Sequence, residues 1–335
     1  MKIALFSDTF LPIADGVGRV AVAYAKTLSD MGHQVSVSAP MTNFGFRGGL
    51  EYDLIEYLSV EVPTAKQYRG GTPVLGTHYL KRMAMSEFDI VHAHSPFVAG
   101  HEALRISRQR GIPLIASFHS KYYDDFYKLT QNRALSQMMT ASVVSFYNKC
   151  DEVWAVSEST AEVLYSYGYK KKIYVMPNGV ELRQADEGFV RATKNKYVKG
   201  DEKILLFVGQ MNWKKNILRV LEAAKLLKDE GFNFKLLFAG QGPDRDKIVL
   251  ESERMDLYEN CFFLGHIEDS RELDALYSIA DLFVFPSLYD NAPMVVREAA
   301  VMKTPSVLVR GSCAAEIVRD GENGFLCEDE AQSLA

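Results

Sequence analysis

The sequence is poor in cysteine, has no long uncharged apolar run suited to crossing a membrane, and carries no excess of positive charge. Its four cysteines, Cys150, Cys261, Cys313 and Cys327, include no C-x-x-C pair and sit in or beside apolar stretches. That pattern excludes a disulfide frame or zinc site and fits buried thiols in a reducing compartment. No uncharged apolar run reaches the roughly 18–20 residues a spanning helix needs, and the opening MKIALFSD is too short for a signal-peptide core. A cytoplasmic protein is expected. With 38 Lys+Arg against 43 Asp+Glu, net −5, the chain lacks the basic surface that nucleic-acid binding requires. The balance is uneven. Residues 1–150 carry 15 basic and 12 acidic side chains, the remainder 23 and 31, as expected of two domains with different partners.

What is present is apolar residue, 47% of 335, enough for two domains of ordinary size. Strand-like runs stand at 2–8, 34–40, 89–95, 113–119, 152–157 and 173–178, then again at 203–209, 234–240, 261–266, 282–287 and 305–309. Most are apolar at nearly every position, as a strand covered on both faces must be. Segments between them, such as NILRVLEAAKLLKD at 216–229, carry apolar residues at helical spacing. Alternating strands and helices predict parallel sheets with right-handed crossovers. The polar stretch 181–202 separates the two series, so the expected fold is α/β, two doubly wound Rossmann-like domains facing a cleft. The domains are placed at 1–180 and 181–335, with the linker between about 178 and 202.

Ligands of open parallel sheets bind beyond the carboxyl ends of strands, which directs attention to the residues that follow each run. GVGRVA at 16–21 matches a dinucleotide fingerprint. The loop from Asp8 to Gly16 is too long for the usual tight turn, however, and the second strand ends in Ser-Ala-Pro where a ribose-binding acid would stand; NAD is rejected. A glycine-rich helix start remains, with Gly16 and Gly18 allowing backbone amides close to a phosphate or sugar. His119 closes a strand and reads as functional. His92 and His94 read as structural, and no acid or thiolate at ligand spacing joins the three to make a metal site. The Asp-Arg-Asp at 244–246 opens a helix, where capping and the dipole favour Asp. GQMNWKKN at 209–216 places Lys214 and Lys215 before a helix, where cations need an anion to justify them. In FPSLYDNAPMVVREAA at 285–300, Asp290 precedes a helix starting near Pro293 and Glu298 lies two turns inside. The amides of Met294 and Val295 would face a phosphate. The uncharged stretch 134–148 reads as a buried helix or as an apolar wall for a lipid.

Taken in order, these residues resemble the retaining family-4 glycosyltransferases of the GT-B type. The marks are ADGVGR at 14–19, FHS at 118–120, VMPNGVE at 175–181, FVGQMNWKKN at 207–216, AGQGP at 239–243, FLGHIED at 263–269 and ADLFVFPSLYDNAPMVVREAA at 280–300. The resemblance covers nearly the whole chain. It implies a nucleotide-sugar donor, expected to be a UDP-sugar, in the C-terminal domain. It implies a hydroxyl acceptor, a lipid or a cell-envelope glycan, mainly in the N-terminal one, with no metal and no cofactor. Lys215 matches the lysine that binds the donor diphosphate, and Glu298 the second acid of E-x7-E, which holds the ribose. Asp290 stands where the first acid contacts the transferred sugar, and Gly209, Gln210, Asn291, Met294 and Val295 line the donor. Gly16 and Gly18 match the loop that closes on sugar and phosphate, His119 matches a histidine facing the sugar, and the backbone around Ile267 would contact the base.

Three departures stand out. Gln210 replaces the usual Arg, with Lys214 a candidate substitute cation. Asp290 is one methylene shorter than the usual Glu, and Pro293 replaces a usual Gly. The family continues for several dozen residues beyond the closing DEAQSLA, so a missing C-terminal segment is expected. The N-terminal +3 and the uncharged stretch suit a lipid acceptor and peripheral contact at the inner membrane face. A nucleotide-sugar 2-epimerase and a non-catalytic sugar-nucleotide-binding module are the competing readings.

Overall fold

The computed structural model describes residues 1–11, 16–42, 49–62 and 65–335. They divide into two compact units, Met1–Gly179 and Val180–Ala335.

In the first unit β1 (Lys2–Phe6), β2 (Gln34–Pro40) and β3 (Asp53–Tyr57) precede an antiparallel hairpin of β4 (Ser59–Val62) and β5 (Ala65–Gly71). The strands β6 (Ile90–Ala93), β7 (Leu114–Phe118), β8 (Glu152–Ala155) and β9 (Tyr174–Val175) follow. Apart from the hairpin they form one parallel sheet in the order β3-β2-β1-β6-β7-β8-β9. The helices are α1 (Gly16–Asp30), α2 (Thr77–Met85), α3 (Val98–Arg110), α4 (Tyr122–Thr130), α5 (Arg133–Tyr147) and α6 (Glu158–Ser166). Strand β1 shows why its sequence is apolar after Lys2. Ile3 and Leu5 enter one core with Val35, Val37 and Ala25 of α1, while Ala4 and Phe6 enter another with Ala99 and Ala103 of α3. Alternate residues serve opposite faces, and both faces are covered.

The second unit opens with α7 (Glu187–Tyr197). It runs on through β10 (Lys203–Val208), α8 (Ile217–Asp229), β11 (Phe234–Ala239), α9 (Arg245–Arg254), β12 (Cys261–Gly265) and α10 (Ser270–Ile279). It ends with β13 (Leu282–Val284), α11 (Met294–Val301), β14 (Ser306–Val309), β15 (Gly324–Cys327) and α12 (Ala331–Leu334). Its sheet is parallel, ordered β12-β11-β10-β13-β14-β15 around a single core.

The stretch read as a charged linker holds a real helix. Asp186 caps α7 by accepting from the amides of Gly188 (2.9 Å) and Phe189 (3.0 Å), and α7 packs against α10. Helix α5 is buried along one face only: Val143, Val144 and Tyr147 are covered, whereas Leu135 and Met138 are exposed. The four cysteines are free thiols, three buried and Cys313 half-buried. Among the described residues no helix is long and apolar enough to cross a membrane.

Each sheet reverses its strand order once, between β1 and β6 in the first unit and between β10 and β13 in the second. These are the two places where such sheets accept ligands.

Candidate active site

Leaving β10, the chain makes one 3₁₀ turn, Trp213–Lys215, capped by Asn212, whose side chain accepts from the Lys214 amide at 3.0 Å. Asn216 ends the turn at φ 59°, in the left-handed region that Asn tolerates. Its side-chain amide donates to the Pro286 carbonyl at 3.2 Å, tying the end of β10 to the end of β13. The tie sets Lys215 Nζ 2.5 Å from Asp290 Oδ1, while Asp290 Oδ2 accepts from Ser287 Oγ at 2.5 Å. Lysine and carboxylate are 17% and 19% exposed. An ammonium has three donors, so Asp290 leaves two of them available. Asn291 lies half-buried in the same loop. Helix α11 then starts at Met294, with Pro293 at its N-cap, a residue whose side chain makes no capping hydrogen bond. The amides of Met294 and Val295 therefore present a positive helix end beside a lysine, an arrangement suited to an anion.

Two turns along α11, Glu298 Oε2 accepts from the hydroxyl of buried Tyr277 at 3.3 Å. Between it and Val296 sits Arg297, half-buried, with no hydrogen bond or ion pair among the described residues and a pKa lowered by burial. The sequence reading passed over this arginine; the signal for it was a cation inside an otherwise apolar helix.

Glycines hold the strand ends together. The Gly209 amide donates to Ala239 O (3.0 Å), the Gly240 amide to Gly265 O (2.7 Å) and the Met211 amide to Gln241 O (3.1 Å). Gln210 is exposed, and the Lys214 ammonium stands over the Tyr289 ring at 5.5 Å. Ile267 is half-buried against the core, so its backbone is what it offers to a ligand. Asp244 departs from the expected capping role. It makes no side-chain cap to α9 and accepts instead from the Trp213 amide at 3.3 Å, supporting the turn that carries Lys215.

The switch point of the first unit is built differently. Asp8, just beyond β1, accepts from Ser95 Oγ (2.6 Å), the Ala99 amide (2.9 Å) and Tyr57 OH (3.4 Å). Burial raises its pKa. A carboxylate of the chain itself thus occupies the start of α3. Beside it, His94 Nδ1 and His119 Nε2 are 3.4 Å apart, the His92 and His94 ring centres are 4.2 Å apart, and His92 Nε2 meets Ser117 Oγ at 2.8 Å. Desolvation lowers His119 to about 4, His92 to about 3, and His94 well below the usual histidine range. Among the described residues no group of three His, Cys, Asp or Glu side chains is disposed to hold a metal ion.

The buried histidines make stability depend on pH. Their folded pKa values lie below the unfolded value near 6.5, so the unfolded chain binds more protons between pH 6.5 and about 4. Stability is fully present above pH 6.5 and falls through that window by up to about 1.4 kcal/mol per pH unit per histidine. The raised pKa of Asp8 acts in the opposite sense. Urea unfolding followed by Trp154 fluorescence is expected to weaken from pH 7 to pH 5, and a His92→Asn variant to show a shallower slope. Equal slopes would refute the assignment.

In α1, Gly16 is exposed and Gly18 buried; Ala14 and Asp15 of the same motif lie outside the described residues. Among the described residues a Cβ on Gly16 would meet nothing within 4 Å. Packing does not demand glycine there.

Known proteins share both sequence and fold with this chain. A family model described as Glycosyltransferase Family 4 matches residues 14–184, and one described as Glycosyl transferases group 1 matches residues 190–335. The alpha-monoglucosyldiacylglycerol synthase of Streptococcus pneumoniae is 26% identical over 92% of this chain and 70% of its own length. A GDP-mannose-dependent alpha-mannosyltransferase of Corynebacterium glutamicum is 26% identical over 98% of this chain and 77% of its own. Among solved structures, Anabaena HepE in complex with UDP and glucose superposes with a TM-score of 0.75 at 19% identity, covering 100% of this chain and 88% of that one, a likeness of fold. Since the first model alone accounts for half of its residues, and both units carry the doubly wound α/β architecture of the GT-B fold, this chain belongs to the group 1 glycosyltransferases of family 4.

Proposed function

We propose that this glycosyltransferase moves a hexose, with retention and without a metal, from a UDP-sugar to a hydroxyl of a lipid or cell-envelope glycan. One contrast carries the reading. The helix after the switch point of the first unit is already satisfied by Asp8, while α11 of the second has no side-chain cap and lies beside Lys215 and Asp290. A nucleoside diphosphate therefore belongs to the second unit, Val180–Ala335, and the acceptor to the first.

In this reading Lys215 and the amides of Met294 and Val295 hold the diphosphate and stabilise its charge as it leaves. Glu298 holds the ribose, the backbone at Ile267 the base, and Gly209, Gln210 and Asn291 complete the donor contacts. Asp290 receives sugar hydroxyls. His119, neutral at pH 7, and the Gly16–Gly18 helix start are assigned to the transferred sugar. Both Asp290 oxygens are engaged, by Lys215 and Ser287, which disfavours it as a nucleophile. The acceptor oxygen attacks C1 on the face that the phosphate leaves; the C1–O(phosphate) bond breaks as the new glycosidic bond forms, and a phosphate oxygen takes the acceptor proton. The UDP seen with HepE, the glycolipid product named for the streptococcal relative and the GDP-mannose named for the corynebacterial one frame the donor and acceptor choices.

The test is a thermal-shift screen of UDP- and GDP-sugars, followed by transfer assays on lipid and soluble acceptors. A ligand at a hundredfold excess over its Kd stabilises by about 2.7 kcal/mol, so a UDP-sugar is expected to raise Tm clearly. Stabilisation by GDP-sugars alone rejects the donor. Isomerisation of donor without acceptor points to an epimerase, and binding without transfer to a non-catalytic module. Within the same assay, Gly16→Ala is expected to leave Tm unchanged, because the new methyl meets none of the described residues, and to raise the donor KM about tenfold, a loss of about 1.4 kcal/mol. An unaltered KM would remove Gly16 from the site.

A further inference from the structure

The first unit contains a pocket of about 590 Å³ whose walls include Val74, Phe97, Phe126, Met139 and Val143. We infer that it receives one long aliphatic chain of the acceptor. This rests on the transferase reading above and deepens it by choosing the lipid over the glycan.

The chemistry of the walls makes the choice. Glu102 and Arg105, both lining the pocket, close a bidentate ion pair at 2.5 and 2.7 Å, so their charges cancel on the wall itself. His101 and Ser142 are the other polar side chains there. A glycan needs a set of donors and acceptors for its hydroxyls, since desolvated hydroxyls left unpaired cost binding. An alkyl chain needs apolar wall alone.

Helix α5 supplies a second, independent observation. After Arg133 it carries no charge, yet only one of its faces is buried. On the other, Met138 is 64% exposed and Leu135 also stands in solvent, where a helix with water as its neighbour would carry charged residues. Leu75, next in the chain to the lining residue Val74, is 70% exposed. Apolar side chains thus continue from the pocket onto its rim, as expected where a lipid enters.

The pocket also lies beside the proposed chemistry. The Phe97 ring meets Tyr122 edge-on at 5.4 Å, and Tyr122 meets Phe118 at 5.5 Å. Phe118 is the last residue of β7 and the neighbour of His119. A chain held against Phe97 therefore leaves its hydroxyl-bearing end near the strand end that carries His119.

The experiment uses 1-O-alkylglycerols from propyl to hexadecyl as acceptors, with the donor identified by the thermal screen. Each methylene buried is worth about fourfold, so kcat/KM is expected to rise at least tenfold from propyl to dodecyl and then level off as the pocket fills. Val74→Glu and Ser142→Trp alter exposed pocket residues. Both are expected to lower kcat/KM for dodecylglycerol at least tenfold while leaving propylglycerol unchanged. Binding of cis-parinaric acid, read by its fluorescence, needs no activity and is expected to weaken at least tenfold in both variants. Competition by dodecyl phosphate against dodecylglycerol tells a phosphate-borne chain from a glycerol-borne one. A flat chain-length series, equal losses on short and long acceptors, or unaltered parinaric acid binding would each overturn the inference. If the wild type transfers to no acceptor at all, the transferase reading falls, and the parinaric acid titration still judges the pocket.

Discussion

Lys215→Ala is expected to lower kcat/KM by tenfold to a thousandfold, corresponding to about 1.4–4 kcal/mol of lost charge stabilisation. The magnitude follows from its surroundings. Lys215 is the cation fixed at the ends of both β10 and β13, 17% exposed, with Asp290 taking one of its three donors. Gln210, where the family resemblance implies an arginine, offers the proposed diphosphate no second cation at that position. Lys214 is exposed and sits over Tyr289, a weaker substitute. Removing Lys215 also strips Asp290 of its counter-charge and leaves a part-buried carboxylate that would repel an anion placed there. Asp290→Asn separates the two effects: it keeps the lysine and is expected to lower kcat more than it raises the donor KM. Wild-type transfer by Lys215→Ala, in protein with an unchanged unfolding temperature, would eliminate it as the diphosphate ligand.

The two-unit α/β architecture was legible because strands covered on both faces leave an unbroken apolar trace, and β1 with its two cores shows the cause. What escaped notice had weaker traces. Strand β3, Asp-Leu-Ile-Glu-Tyr, lies at the sheet edge and mixes acids with its apolar residues, so its pattern resembles a loop. Helix α7 was hidden by charge, because its apolar side buries only Thr193 and Tyr197. The candidate site residues stood out in the sequence as residue types at strand ends, but their partners did not. Nothing in the spacing between Lys215 and Asp290 says that they meet; the side chain of Asn216, reaching Pro286, brings their two loops together. Asp244 does stand at the start of α9, as expected, but its hydrogen bonding was not legible for a related reason. A helix-start Asp predicts a cap, and only the neighbouring turn shows that it accepts from the Trp213 amide instead. Asp8 read as one more polar strand end, yet it satisfies the very helix start that would otherwise compete with α11 for an anion.

Gly240→Ala is expected to destabilise the second unit by roughly 2–6 kcal/mol. Two costs combine. At φ +142° the backbone is one that side chains rarely adopt, which costs about 1–3 kcal/mol. A Cβ there would also stand 1.9 Å from the Gly209 carbonyl oxygen, and the obstacle is backbone, so it cannot rotate aside; forced overpacking adds about 1–3 kcal/mol. Relief requires moving Gly209 away from β11, breaking its 3.0 Å hydrogen bond to Ala239 O. That shift propagates along the short loop to the turn that holds Lys215, so the donor KM is expected to rise together with the loss of stability. Gly265→Ala provides the graded comparison. Its φ is +78°, but its Cβ would meet only Gln241 Nε2, at an ordinary 3.7 Å, leaving the backbone cost of about 1–2 kcal/mol alone. Urea unfolding should therefore rank the variants wild type, Gly265→Ala, Gly240→Ala in falling stability, with donor affinity following the same order. A Gly240→Ala protein as stable as wild type would show that the two strand ends are not in the contact from which the position of Lys215 has been argued.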